Sequence, residues 1–130
     1  MSAVDDSDTE FEEETSMPAE IKQAVEFYDQ ACLAEQQDKD DLAEVYYLKS
    51  WALFEQAGGR HYLNAANSLN ALAYLRKSRG NFDGALLSAK RSLQFTEKYD
   101  APSNDADLIR GTARDLIDLV CGEMSAAARN

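Results

Sequence analysis

Proline, cysteine and histidine are scarce in this chain, and each scarcity removes a class of answer. Only two prolines, two cysteines and one histidine stand among 130 residues. Cys32 and Cys121 lie far apart and outside any CxxC spacing, too few for a disulfide scaffold, so both thiols are read as reduced and inert. His61 has no second histidine, cysteine or carboxylate at ligand spacing, which gives no metal site. No cysteine or serine is paired with a histidine as a nucleophile would be, and no Gly-rich phosphate loop, GxSxG or HExxH occurs. Neither an enzyme nor a cofactor is expected. Long β-branched runs are missing too, which argues against strands. No apolar run approaches the roughly 20 residues of a membrane span, and the first residues lack the basic and apolar regions of a signal peptide. The expected location is cytoplasmic, without membrane contact.

What the chain has is good helix formers: Ala, Leu, Glu and Gln dominate its body. The formal net charge is −11, and nucleic acid is excluded because phosphate contacts need clustered cations. The charge is uneven. Residues 1–17 hold seven acids (Asp5, Asp6, Asp8, Glu10, Glu12, Glu13, Glu14) and no base. From Arg60 to Lys98, seven bases face two acids, a local net of +5. A segment as acidic and poor in large apolar groups as 1–17 is expected to be disordered. It serves as a solubilising tail, as a self-inhibitory segment drawn to the basic stretch, or as a docking motif for another protein.

Helical periodicity follows from residue 18. The first pattern runs from Pro18 to Gln37 through Ile21, Val25 and Tyr28, and QQDKDD breaks it. Asp41 and Glu44 have the spacing of a capping box opening the second helix, which carries Ala43, Tyr47, Trp51 and Phe54 and ends at Gly58-Gly59. The third runs from about His61 to Arg79, Gly80 stops it, and Asn81 can cap the fourth, which fades at Tyr99. The turn at 101–104 leads to a fifth, and residues 126–130 are expected to fray. The aromatics Phe27, Tyr46, Tyr47, Trp51, Phe54 and Tyr62 sit mostly at core spacing.

Superimposed on itself at an offset of 42, the chain pairs Phe27 with Leu69, Ala31 with Ala73, Ala43 with Ala85 and Ser50 with Ser92. Trp51 then falls on Leu93, and Leu53 on Phe95. Large meets large and small meets small, the signature of a helical repeat. In SLNALAYLRKSRGNFDGALLSAKRSL, Leu69, Leu72 and Ala73, then Gly80 with Phe82, then Ala85 and Ser92-Leu93 resemble the tetratricopeptide (TPR) motif. The 42-residue period and the LNALA stretch are similar to the long TPR variant of kinesin light chains, whose stretch reads LNNLA. Ala71 stands here for its second Asn. The first repeat has Asp38 and Asp40 where the motif's glycine and aromatic belong.

The resemblance implies a right-handed, all-α solenoid over 18–125, with two TPR hairpins and a C-terminal capping helix. The cap reading rests on Gly111, where the repeat wants a large residue. It also implies a concave groove lined by the first helix of each hairpin. Carried over residue by residue, the groove positions are Tyr28, Cys32 and Glu35, then Asn67, Asn70, Tyr74 and Lys77. Asn70 would hold a ligand backbone, as an amide both donates and accepts. The TPR groove that grips a terminal carboxylate needs more cations than Lys77 offers. The implied function is an adaptor for a peptide or helix of a partner protein. A chaperone for one client, or a homodimerising structural module, is the alternative, with the chain a monomer or a homodimer.

Overall fold

The structure, a computed structural model, describes residues 18–99 and 103–129. The acidic segment 1–17 and residue 130 lie outside them, so the expected disorder of the segment does too.

Five α-helices account for nearly all described residues, and there is no strand among them. They are α1 (Ala19–Gln36), α2 (Asp40–Ala57), α3 (His61–Ser78), α4 (Phe82–Lys98) and α5 (Asn104–Arg129). None is long and apolar enough to cross a membrane. The helix extends to Arg129, across the stretch expected to fray.

Local chemistry sets the ends. Pro18 precedes α1, and its carbonyl accepts from the amides of Ile21 and Lys22. Gly58 (φ +69°) ends α2 and Gly80 (φ +78°) follows α3, both in left-handed conformations that a side chain resists. Asn81 caps α4, its Oδ1 accepting from the Gly84 amide at 3.1 Å. The expected capping box at α2 does not form. The helix already begins at Asp40, and no side chain caps it. The Glu44 carboxylate reaches instead to Arg76 on α3, and that of Asp41 to Arg79 in the turn after it. A long-range cation has outcompeted the local amide.

Each helix packs on the next, and α5 also reaches back to α3. The three-residue connections after α1, α2 and α3 turn the chain straight back. Alanine dominates the contacts: Ala24, Ala31, Ala43, Ala65, Ala66, Ala73, Ala85, Ala89 and Ala113 are all fully buried. Small side chains let helix axes approach closely. Larger residues fill the gaps beside them, with Ile21, Phe54, Leu69 and Phe95 in one cluster, and Tyr47, Leu72 and Leu75 in another. The central helix, α3, has eight buried residues, more than any other helix.

The 42-residue period recurs in the hydrogen bonds. Ser50 on α2 donates to the Ala24 carbonyl of α1 at 2.8 Å, and Ser92 on α4 donates to the Ala66 carbonyl of α3 at 2.9 Å. Donor and acceptor both move by 42 residues. Helix α5 continues the series at a slightly shorter offset. Ala106 and Ala113 are buried, 40 residues after Ala66 and Ala73, and Ile109 packs against the cluster that holds Leu69. At that offset Gly111 is no longer opposite a large residue.

Arg76 ties the successive pairs together. From α3, its Nε donates to Glu44 on α2 at 3.0 Å, and its Nη1 to Ser88 on α4 at 2.8 Å and to the Gly84 carbonyl at 3.3 Å.

Candidate functional site

Helices α1, α3 and α5 share one side of the molecule, and two hollows meet there along α3. One, of about 350 Å³, lies between the first half of α3 and the start of α5, with Arg60, Asn64, Asn67, Tyr99, Leu108 and Ile109 among its lining. The other, of about 140 Å³, lies towards α1, lined by Val25, Tyr28, Phe54, Asn64, Asn67 and Ser68. Asn64 and Asn67 belong to both. They stand one turn apart on α3, so the two amides project from one face. Both are exposed, as are Val25 at 41% and Leu108 at 71%. The result is a shallow channel with two side-chain amides along its floor and apolar rims on α1 and α5.

The seven residues named from the resemblance divide into three groups. Tyr28 and Asn67 are brought together, with Asn67 Nδ2 donating to the Tyr28 hydroxyl at 3.4 Å. Burial raises the Tyr28 pKa, and the Cys32 thiol adds to it, while the bond from Asn67 works the other way. Tyr74 is 51% exposed further along α3.

Cys32 and Glu35 turn towards α2. Tyr47 donates to Glu35 Oε1 at 2.6 Å and stands 3.5 Å from the Cys32 sulfur, with the Tyr28 ring edge-on at 5.5 Å. Burial, then the contacts with Cys32 and Glu35, hold the Tyr47 hydroxyl protonated far above its ordinary range. This network closes on itself and fastens α1 to α2.

Asn70 and Lys77 turn towards α5. Asn70 is only 3% exposed, its Nδ2 donating to the Ile109 carbonyl at 3.2 Å, and its Oδ1 is buried without a partner. Lys77 pairs with Glu123 at 3.1 Å. Both hold α5 against α3. Helix α5 stands over both of them.

Positions carried over from two repeats do not extend to α5, whose Leu108 and Ile109 line the hollow of about 350 Å³. Asn64 had a readable signal, an asparagine three residues before Asn67 and six before Asn70, and Val25 lies three residues before Tyr28.

Among the described residues, no three His, Cys, Asp or Glu side chains stand together as metal ligands. His61 stacks on Phe54 outside both hollows, and its pKa is lowered by burial first and by neighbouring Arg60 second. Side-chain amides such as these can both donate to and accept from a peptide unit, and exposed apolar side chains can cover apolar groups. Neither a family model, nor a curated protein, nor a solved structure matches the chain.

Proposed function

We propose that this protein is a TPR-like adaptor, a short α-solenoid that binds an extended peptide or a helix of a partner protein in the channel across α1, α3 and α5. The observation that carries the reading is the pair of exposed amides, Asn64 and Asn67, on a floor between the apolar rims Val25 and Leu108. Two features support the repeat. The Ser50 and Ser92 bonds recur at the 42-residue period, and Ala106 and Ala113 set α5 in the register of a third first-position helix. In this reading α5 is a working wall of the groove as well as its end.

The test is affinity capture from a host lysate, with wild type beside an Asn67→Ala/Leu108→Ser variant. Both positions are exposed, so the variant should keep its melting temperature. A protein retained by wild type and lost by the variant supports the groove. Identical lists from both baits would overturn it.

One observation favours a second reading, a homodimer. The outer face of α5 carries Leu119, 52% exposed, beside Gly122 and Ala126 in an open hollow of about 590 Å³. Light scattering at two concentrations separates that case from a monomer.

A further inference from the structure

The seven bases between Arg60 and Lys98 do not share one fate. Arg76, Lys77 and Arg79 are paired with carboxylates. Among the described residues, no carboxylate lies within 4.0 Å of Arg60, Lys90, Arg91 or Lys98, and all four are exposed. Two of these free cations are held over aromatic rings. The Arg91 guanidinium lies 4.7 Å from the Trp51 ring centre, and Lys98 lies 5.1 Å from that of Phe95 and 5.6 Å from that of Tyr62. Such contacts fix a flexible cation in place without neutralising it. Seven residues apart on α4, Arg91 and Lys98 share a face and stand about 10 Å from one another.

This face spans α2, α3 and α4, and none of its five side chains lines either hollow of the channel. Phe95 belongs to the core cluster that holds Ile21, three residues after Pro18, and Trp51 and Tyr62 pack against that cluster. Pro18 forms the wall of a hollow of about 510 Å³, with Ile21, Leu53 and Ala57 as its apolar lining and Glu20, Gln56 and His61 as its polar lining. His61 is followed by Tyr62, the ring that Lys98 covers.

We propose that the cation–ring face of Arg91 and Lys98 is a docking surface for an acidic segment, and that its occupant is the protein's own residues 10–17. The charges are complementary, as that stretch carries Glu10, Glu12, Glu13 and Glu14 and no base. The length fits. Glu14 is four residues from Pro18 and Glu10 is eight, giving reaches of up to about 14 and 28 Å. In an extended chain, Glu10, Glu12 and Glu14 share one face at steps of about 7 Å, so that face spans the roughly 10 Å between the two cations. Phe11 and Met17 supply apolar groups for the hollow beside Pro18. The tether gives a local concentration on the order of 1 mM, so weak contacts suffice. Docking here leaves the α1–α3–α5 channel open, and the two sites therefore stand or fall separately.

The experiment uses the full chain and its only tryptophan, Trp51. Nitrogen-15 spectra are compared for wild type, for Glu10→Gln/Glu12→Gln/Glu13→Gln/Glu14→Gln, and for Arg91→Glu/Lys98→Glu. The Trp51 indole and the amides of Tyr62, Phe95 and Lys98 should shift when the four glutamates are neutralised. They should shift the same way when wild type is moved to about 0.5 M salt, where exposed charges are screened. The charge-reversed variant should lose that salt response, and the wild-type shifts should not depend on protein concentration. Unchanged Trp51, Tyr62 and Lys98 signals would overturn the proposal. So would shifts centred on Tyr28, Asn67 and Leu108, which would seat the segment in the channel. Shifts that grow with concentration would overturn it as well, by assigning the segment to a second copy.

Discussion

Replacing Arg76 by methionine should cost about 2 kcal/mol, because its guanidinium hydrogen-bonds from α3 to both α2 and α4. The side chain is 16% exposed, and its partner Glu44 is 28% exposed. Two of its three bonds are short: Nε to Glu44 at 3.0 Å and Nη1 to Ser88 at 2.8 Å. Bonds to a charged group contribute about 1.5–3 kcal/mol each in partly buried settings. Against this, removing the guanidinium relieves its own desolvation, and Glu44 regains water on its open side. Methionine keeps most of the aliphatic stem, so packing changes little. The net of about 2 kcal/mol should lower the urea midpoint by roughly 1 M and the melting temperature by roughly 8 °C. Trp51 fluorescence follows the transition, since that ring packs against the first core cluster. Lysine should rescue little, as one ammonium on a flexible stem cannot hold Glu44 and Ser88 together. A double-mutant cycle with Glu44→Gln should give a coupling of about 1 kcal/mol. An Arg76→Met variant within about 0.5 kcal/mol of wild type, or zero coupling, would refute the bridging role.

Three further outcomes are expected. Gly111 and Gly122 lie within α5 with open space where a Cβ would stand, so alanine at each should stabilise by about 0.5–1 kcal/mol in thermal melts. Gly84→Ala should instead destabilise, because its Cβ would meet the capping side chain of Asn81. Ser50→Ala and Ser92→Ala should each cost about 1 kcal/mol and add in the double variant, since equivalent bonds in separate pairs share no partner. The His61 imidazole, the chain's only one, should titrate below its ordinary 6.5 in a proton NMR series. A lowered folded value means that the unfolded chain binds the proton first. Stability therefore falls as pH drops from 6.5 through the folded value, and His61→Gln should remove that slope.

Much of the fold was legible because small residues and helix stops act locally. Ala31 with Ala73 and Ala43 with Ala85 mark the buried crossings, while Gly58, Gly80 and Asn81 stand where the chain turns. The errors came where a distant partner decided. Asp41 and Glu44 had the spacing of a capping box, yet Arg79 and Arg76, over thirty residues on, took both carboxylates. Asn70 and Lys77 were named as groove residues, and Ile109 and Glu123 of α5 engage them. The register of α5 is 40 residues after α3, so a fixed offset of 42 does not align its buried alanines with Ala66 and Ala73.

The channel across α1, α3 and α5 is tested most directly by binding. Peptides selected by display on the immobilised wild-type chain would be measured by fluorescence anisotropy against wild type and Asn67→Ala/Leu108→Ser. Loss of one amide and one apolar rim contact should weaken binding about tenfold, the equivalent of 1.4 kcal/mol, with an unchanged melting temperature. Equal affinity for both proteins would contradict the groove.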